Sequence, residues 1–398
     1  MAAVPYPLAD MFSSETQHRL LELRHDLHRH PELSQQEHLT AERLQRELEA
    51  VKPVHVARKG GTGVLARIRG TDPSAPVIAL RGDIDALPIQ EETGLPFSSA
   101  CPGVMHACGH DVHATWMIGA AHLLAQRPAR GDVVMLLQPA EETGKGALAL
   151  IADGALDGVS AVFGAHVDRR FPVGQIVAQA GPIAAAADTF EIELIGSGAH
   201  GARPHEARDP IVTAGALIGA LQTIVARRLK PATPAVVTVG TIHAGTASNI
   251  IPATARLTGT LRAVDPETRK TLHDEVRHIT HAIVATHGLE AKVTIEMGPP
   301  PVINAELPIA WAREAVTRTL GADALIPLGF TNLAAEDFAW YLEKLPGAFL
   351  RIGAREEGGT IIPAHSPRFY AADECVFLGA VVLAETARVA AEELGSKR

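Results

Sequence analysis

Six consecutive residues, His106–Asp111, bring together two imidazoles, a thiol and a carboxylate, and an apolar helical run follows almost at once. Thiolate and imidazole are good ligands for Zn, Mn, Co and Ni. Gly109 permits a tight backbone between Cys108 and His110. The spacing predicts that Cys108 and His110 form one half of a metal site. From this stretch alone, a buried structural cysteine beside solvent-facing histidines is an equally open interpretation.

Two adjacent carboxylates, Glu141 and Glu142, follow an apolar run that ends at Leu137. Because neighbouring side chains at a strand end point in different directions, one carboxylate could bind a metal while the other serves as general base toward a water. The alternative is an ordinary helix start, where the helix dipole favours glutamate. For a pair of glutamates considered alone, that alternative is the commoner one.

Single histidines follow two further segments, His166 after an apolar strand and His365 in a loop before the last helix. A lone histidine is more often hydrogen-bonded structure than a ligand. Their placement favours a role as ligands, because groups at the carboxyl ends of strands converge on one crevice in open α/β sheets. The sequence therefore predicts that His166 and His365 complete the metal site.

Asp83 and Asp85 follow another apolar run, residues 77–80. A carboxylate at this position can accept the free N–H of a ligating histidine and fix its tautomer. The alternative is an Asx-type turn that caps the strand, which is equally open for Asp83 and less so for Asp85. We expect Asp85 to take the supporting role.

Polar side chains also occur on two loops in the second half of the chain, where His200 and His205 lie on a Gly-rich loop and Asn249 on another. These are donor types suited to an oxyanion or a substrate carboxylate. Ordinary loop polarity explains them equally well at this point.

The elements that must position these residues follow from the hydrophobic pattern. Residues 15–50 have helical spacing interrupted by Pro31, which predicts two amphipathic helices. Continuous apolar runs separated by helical stretches favour strands covered on both faces. The sequence thus predicts an α/β fold with a mostly parallel mixed sheet between helices. The strand runs lie at 63–66, 77–80, 133–137 and 161–165, and the helices between them at 110–127 and 143–153.

The pattern changes near Gly181 to a β-α-β-β-α-β order, which is typical of a ferredoxin-like α+β unit. The predicted elements are strands at 188–196, 236–244, 254–263 and 291–296, with helices at 209–229 and 266–287. We expect a discontinuous catalytic domain, residues 1–182 and 298–398, with an inserted domain at 183–297.

Composition excludes several classes of protein. A formal net charge of −9 argues against nucleic acid as a partner. No apolar run approaches a membrane span, and the amino-terminal residues show no signal-peptide pattern. Three cysteines cannot all pair with one another, so reduced thiols and a cytoplasmic location are expected.

Three motifs, HACGHD, QPAEE and GTIHAGTASNIIP, occur in this order, and a fourth, RHDLHRHPE, precedes them. Together they resemble the aminoacylase/carboxypeptidase family of dinuclear metallohydrolases over nearly the whole chain. The branch with the greatest likeness contains hippurate hydrolases, N-acyl-amino-acid amidohydrolases and auxin-conjugate hydrolases.

The resemblance implies two divalent metal ions per subunit, either Zn, Mn, Co or Ni, with Cys108 as the bridging ligand. His110 and His166 would complete one metal position, and Glu142 with His365 the other. Glu141 would be the general base, with Asp85 supporting a ligand. His106 is not expected to be a ligand, and Asp111 is expected to support the helix start.

The same resemblance makes the inserted domain a lid and a dimerisation domain, in a homodimer or homotetramer. His200 would stabilise the oxyanion, reaching the partner's site across the dimer. Asn249 would assist, and Arg262 and His205 would contact the substrate. One departure concerns Val167–Arg170, where the branch usually has an aromatic residue and proline, so the shape of the substrate pocket is open.

The predicted function is metal-dependent hydrolysis of the amide bond in N-acyl-L-amino acids, with Glu141 as general base. Dipeptidase or carboxypeptidase activity at the same dinuclear site is the alternative. Two other readings are a purely structural metal site and thiol catalysis by Cys108 with His110. The small-molecule partner is therefore an N-acyl amino acid or a dipeptide.

Overall fold

The structure, a computed structural model, describes residues 8–396. The chain divides into two compact units. The second unit consists of Pro182–Ile303 and Phe330–Glu336, and the first contains the rest. Most of the segment examined for a signal peptide, residues 1–7, lies outside the described residues.

The helices and strands are numbered in chain order. The α-helices are α1 (Ser14–Arg29), α2 (His38–Ala50), α3 (His110–Gln126), α4 (Gly146–Ala152), α5 (Pro210–Leu221), α6 (Pro266–His287), α7 (Glu306–Leu320), α8 (Ala339–Leu342) and α9 (Glu374–Gly395). The strands are β1 (His55–Lys59), β2 (Gly63–Ile68), β3 (Val77–Asp83), β4 (Val133–Gln138), β5 (Val159–Pro172), β6 (Ile176–Val177), β7 (Gly181–Ala184), β8 (Ala186–Ile195), β9 (Ala199–His200), β10 (Ala235–Ala244), β11 (Ile250–Ile251), β12 (Thr254–Ala263), β13 (Glu290–Glu296), β14 (Val302–Asn304), β15 (Leu325–Ile326) and β16 (Gly347–Arg355).

The first unit is built on an eight-stranded sheet with the order β1-β2-β4-β3-β5-β16-β6-β15. Its four central strands, β4, β3, β5 and β16, run parallel to one another. On one side the sheet continues with β2, which pairs antiparallel with β4, and then with β1, which pairs antiparallel with β2. Parallel central strands place their carboxyl ends at one edge, which is where ligands bind in open α/β sheets.

Helices α3 and α9 pack against each other and against the central strands. Both are buried on nearly every face, which explains why their sequences are apolar all round rather than amphipathic. The two helices approach closely at Gly379, where an added Cβ would lie 2.1 Å from Trp116 Cε3. Only glycine fits at this contact.

The second unit contains a four-stranded antiparallel sheet with the order β10-β12-β8-β13. Helices α5 and α6 pack on it over an apolar core. Both helices begin with an aspartate cap followed by proline, at Asp209 and Asp265, whose side chains accept backbone N–H groups. The helix predicted for 209–229 ends instead at Leu221, and a short π-helical turn follows at Ile224–Arg228.

The predicted α/β fold class is confirmed: a mixed, mostly parallel sheet flanked by helices, with a separate α+β unit. Strand β1 lies outside the strands predicted from the sequence, because its residues HVARK lack an apolar run. Within residues 8–396, no helix is both long and apolar enough to cross a membrane.

Candidate metal centre

The helix α3 begins at His110, directly after a residue in the left-handed region, Gly109 with φ 88°. An added Cβ at Gly109 would lie 2.4 Å from Cγ2 of Val167 on the neighbouring strand. Conformation and space therefore both require glycine. The tight turn brings the side chain of Cys108 beside His166, which lies within β5 and not at its end.

Cys108 and His166 are in direct contact, with 3.3 Å between Sγ and Nε2. On the other side of the ring, His166 Nδ1 lies 2.6 Å from the Val167 carbonyl oxygen. Because a carbonyl only accepts, Nδ1 carries the proton and Nε2 presents its lone pair towards the thiol. This is the tautomer that a metal ligand needs.

The ring of His110 is also oriented through its Nδ1 atom. Its Nδ1 lies 2.9 Å from the carbonyl oxygen of Asp85 and 3.2 Å from the Asp85 carboxylate. Among the described residues, the buried Nε2 atom has no hydrogen-bond partner. Ligand atoms of Cys108, His110 and His166 lie within 4.8 Å of one another, and all three residues are buried. An orphaned imidazole nitrogen aimed at a thiol and a second imidazole fits a divalent cation.

A second group of ligand atoms, from Cys108, Glu142 and His365, also lies within 4.8 Å. Glu142 Oε1 is 3.3 Å from His365 Nε2. His365 has φ 65°, a strained conformation for a non-glycine residue, and its N–H donates to the Ala107 carbonyl at 2.8 Å. Cys108 is a member of both groups, so its sulfur lies within 4.8 Å of ligand atoms in each.

Glu141 lies beside these groups, with a carboxylate oxygen within 4.8 Å of ligand atoms of His110 and Glu142. The Asp337 N–H donates to Glu141 Oε1 at 3.3 Å. The two glutamates do not leave a strand end directly. They follow a left-handed residue, Ala140 with φ 54°, in a turn after β4, and this turn rather than strand alternation orients them.

The structure does not bear out the turn interpretation of Asp83, which is the last residue of β3, is fully buried and directs its carboxylate to Arg81 and His113. Its carboxylate accepts from Arg81 Nη1 at 2.5 Å and contacts His113 Nδ1 at 2.5 Å. His113 Nε2 accepts the Val167 N–H at 3.0 Å. Both nitrogens of His113 are therefore occupied by protein, which leaves it without a lone pair for a metal.

Asp111 lies in the first turn of α3, and its carboxylate connects this turn to α1. Its carboxylate accepts from Arg24 Nε at 3.1 Å and lies 2.9 Å from His28 Nδ1. His106 is buried with neither ring nitrogen hydrogen-bonded, and none of the ligand groups found among the described residues includes it. Burial lowers the pKa of His106 to about 4, so this ring stays neutral.

The charge state of the centre depends on a cation. Burial raises the pKa of the Cys108 thiol well above its usual range, and the carboxylate of Glu142 raises it further. Burial opposes the charge on His110, but Asp83 and Asp85 raise its pKa well above the usual range. A thiolate in this position needs a positive charge beside it.

The remaining predicted residues lie in the second unit. His200 is exposed on β9, where its Nδ1 accepts the Ala202 N–H at 3.0 Å. Asn249 is exposed, and its carbonyl accepts the Gly201 N–H at 2.7 Å. His205 lies exposed in a short 3-10 turn, and Arg262 is half-buried on β12. Burial lowers the pKa of Arg262.

Several polar side chains that hold the centre, all buried except the half-buried Ser34, are not predicted from the sequence. Arg81 donates to Gln138 Oε1 at 2.8 Å and to Asp337 Oδ1 at 2.7 Å, and Ser34 Oγ donates to Asp85 at 2.6 Å. Arg81 and Gln138 lie in apolar strand sequences, where a polar residue is a detectable signal. Asp337 and Ser34 carry no such signal, since both lie in irregular segments.

The chain is similar to proteins of known kind along almost its full length. Residues 79–389 match the model of peptidase family M20/M25/M40. N-acetyl-L-cysteine deacetylase from Bacillus subtilis is 40% identical over 94% of this chain and 89% of that protein. Thermostable carboxypeptidase 1 from Saccharolobus solfataricus is 37% identical over 91% of this chain and 93% of its own length.

A crystal structure from Bacillus subtilis, described as a dinuclear metal-binding peptidase of the M20 family, has a similar fold. It superposes with a TM-score of 0.84 at 37% identity, over 96% of this chain and 99% of that one. The family resemblance predicted from the motifs is thereby confirmed, as is the prediction of a hydrolase. The chain belongs to peptidase family M20/M25/M40.

Proposed function

We propose that this enzyme hydrolyses the amide bond of N-acyl-L-amino acids at a dinuclear metal site, with Glu141 as general base. The observation that carries the proposal is the position of Glu141. Its carboxylate lies within 4.8 Å of ligand atoms of His110 and Glu142, and the two ligand groups around Cys108 do not include it. Glu141 shares a third group with His110 and Glu142, and a carboxylate next to the two Cys108 groups but part of neither suits proton transfer.

The proposed ligands are Cys108 as bridge, His110 and His166 for one ion, and Glu142 and His365 for the other. When bound, two divalent ions such as Zn, Mn, Co or Ni would polarise the substrate carbonyl and acidify a water. Glu141 accepts the proton of the attacking water and passes it to the leaving amine. Asp85 holds His110 in the tautomer that presents Nε2.

We further propose that His200 donates a hydrogen bond to the oxyanion. Its Nδ1 accepts a backbone N–H, so the neutral ring carries its proton on Nε2, where it can act as a donor. One such donor contributes on the order of 3 kcal/mol to the transition state. We also propose that Asn249, His205 and Arg262 contact the substrate.

A dimer built through residues 183–297 is part of the proposal. Helix α5 exposes apolar side chains, with Val212 60% and Ile211 45% exposed. An added Cβ at Gly215 or Gly219 of this helix would meet nothing within 4 Å. Strand β10 is an edge of its sheet, with Ile242 45% exposed. Apolar patches and edge strands of this kind are usually covered by a partner.

The second candidate, a carboxypeptidase or dipeptidase at the same site, is favoured by the similarity to the Saccharolobus carboxypeptidase. The two candidates share their chemistry and differ in the acyl group. Kinetics with N-acetyl-L-cysteine, N-benzoylglycine and dipeptides would separate them. An N-acyl amino acid is expected to have the highest kcat/KM, and a dominant dipeptide activity would favour the second candidate.

Glu141→Gln is the direct test of the general base. This change keeps the size of the side chain but removes its proton-accepting charge. Metal content should stay at the wild-type value, while turnover falls by at least about 100-fold. Glu142→Gln is the matched control, because loss of a proposed ligand should lower metal content as well as turnover. Normal turnover in Glu141→Gln would overturn the assignment.

All three cysteines, Cys101, Cys108 and Cys375, are free in the structure. Free thiols persist in reducing compartments. We therefore propose a cytoplasmic location, which fractionation of the producing cells would test.

A further inference from the structure

Arg169 is a buried cation that the family resemblance did not anticipate. It lies on β5, three residues after His166, within the Val167–Arg170 stretch that departs from the branch pattern. Its side chain is 2% exposed. A fully desolvated guanidinium is stable only when its hydrogen bonds are satisfied by the surrounding protein.

The guanidinium is bound mainly by one irregular segment, residues 356–370, and also by the Ala354 carbonyl on β16, 3.5 Å from Nη1. Its two terminal nitrogens donate to the Glu356 carboxylate at 2.8 and 3.1 Å, a bidentate pair. They also donate to the carbonyl oxygens of Tyr370 at 3.1 Å and Thr360 at 3.0 Å. The guanidinium carbon lies 4.0 Å from the centre of the Tyr370 ring. The hydroxyl of Tyr370 in turn hydrogen-bonds Glu356.

These contacts lie on both sides of His365. Glu356 and Thr360 precede it, Tyr370 follows it, and no regular element fixes the positions between them. His365 itself is in the left-handed region, with one backbone bond to Ala107. An irregular segment with a strained residue keeps its shape only when neighbouring groups hold it.

Arg169 is not available as a receptor for a substrate carboxylate. Its two terminal nitrogens are already engaged by Glu356 and by three carbonyl oxygens, and its Nε is buried with no hydrogen-bond partner among the described residues. Arg169 lowers the pKa of Glu356 to about 2, although burial opposes this shift, so the pair stays ionised at neutral pH. The charge is therefore neutralised inside the protein, and its role is structural with respect to the site.

We infer that Arg169 is a positioning residue that ties the His365 segment to the strand carrying His166. Through this connection it determines how firmly the ion ligated by Glu142 and His365 is retained. The inference rests on the proposed metal ligands. Side chains that orient metal ligands typically change metal affinity by about 10- to 100-fold when they are removed.

The test compares Arg169→Gln with Arg388→Gln. Arg388 is a matched control, since it is also buried and donates to one carboxylate, Glu385 at 2.9 Å, and to two carbonyl oxygens. It lies on α9 and contacts none of the proposed ligands. Metal content per chain is measured by plasma mass spectrometry after dialysis against a graded series of chelator concentrations.

We expect Arg169→Gln to release one of two ions at about 10- to 100-fold lower chelator strength than wild type. Arg388→Gln should release metal as wild type does. Equal retention by Arg169→Gln and Arg388→Gln would overturn the inference. A wild-type chain that binds no metal would instead overturn the proposed function, so the two failures are distinguishable.

A second measurement and a milder variant cover the case in which Arg169→Gln folds poorly. Glu356→Gln breaks the bidentate ion pair by changing its more exposed partner. Like Arg169→Gln, it should lower metal retention. Hydrogen exchange in residues 356–370 should be faster in both variants and unchanged in Arg388→Gln. Normal exchange across this segment in Glu356→Gln, together with normal metal retention, would also reject the inference.

Discussion

The N–H of Ala140 donates a 2.9 Å hydrogen bond to the carboxylate of Glu37, a residue 103 positions earlier in the chain. Glu37 is 0% exposed, and its second oxygen accepts from the Thr62 hydroxyl at 2.5 Å. Ala140 is left-handed and directly precedes Glu141. A buried carboxylate at the N-cap position of α2 thus holds the backbone that presents the proposed general base.

Glu37→Ala should therefore damage both stability and catalysis. It leaves two buried donors, on Ala140 and Thr62, without an acceptor, at a cost of about 1–3 kcal/mol each. Displacement of the Glu141 turn should lower kcat by up to about 100-fold. Urea unfolding and steady-state kinetics measure the two effects. Unchanged kcat in a folded Glu37→Ala protein would contradict this role.

Glu37→Gln is the matched control, and its stability should differ from that of wild type in its dependence on pH. Burial raises the pKa of Glu37, so the stability contributed by the protonated form is lost as the pH rises through that pKa. Glutamine resembles the neutral acid: its amide oxygen can accept the Ala140 N–H, and its NH2 group can donate to the Thr62 hydroxyl. Its stability near neutral pH should fall within about 1 kcal/mol of wild type or exceed it.

Cys108→Asp distinguishes metal binding from thiol catalysis. Burial and the nearby Glu142 raise the pKa of the thiol, so without a cation Cys108 is a poor nucleophile. Aspartate supplies an anionic ligand, and we expect the variant to retain bound metal and measurable turnover. Chelation of the wild-type enzyme should abolish activity, and Mn, Co or Zn should restore it. Full activity in chelator, with an inactive aspartate variant, would support thiol catalysis.

The buried His28–Asp111 pair predicts a pH-dependent stability. Burial opposes the charge on His28, but Asp111 and Glu91 raise its pKa to about 9. The charged form stabilises the fold fully below the ordinary value of 6.5, and this contribution is lost as the pH rises through about 9. The loss is on the order of 3 kcal/mol.

The measurement is the free energy of urea unfolding across this pH range in chelator, for wild type and His28→Gln. The variant should lose most of the pH dependence seen in wild type. His278→Gln, at an exposed position on α6, serves as the control and should follow wild type. Parallel curves for wild type and His28→Gln would contradict the prediction.

Mixing two inactive variants tests the proposed dimer. If His200 acts in the partner's site, a heterodimer of Glu141→Ala and His200→Ala subunits has one intact site. A random mixture should then recover about a quarter of wild-type activity. Subunit exchange is confirmed with tagged chains. Complete inactivity after proven exchange would place His200 outside the partner's site.

The sequence predicts much of the fold because its strands are unusually clear. Central strands covered on both faces are largely apolar, as β4 is over residues 133–137 and β5 over residues 161–165. The helix predicted to 229 ends at Leu221, and the buried positions continue at helical spacing to Ile224 in the π-turn, so the apolar pattern alone does not mark this change. For Asp83 the sequence does not distinguish support of a histidine from an Asx-type turn, since spacing alone does not show where the strand ends.

What the sequence determined by itself is the set of ligand types, since thiol, imidazole and carboxylate chemistry depends on residue identity and local spacing. Which of them converge was decided by the tertiary structure. His110 and His113 lie on one turn of α3. Both ring nitrogens of His113 are hydrogen-bonded, to Asp83 and Val167, whereas Nε2 of His110 has no hydrogen-bond partner among the described residues. Likewise, Glu37 and Arg169 hold the segments of Glu141 and His365 through contacts far apart in the chain. Such contacts depend on the packing of whole elements, which no local pattern encodes.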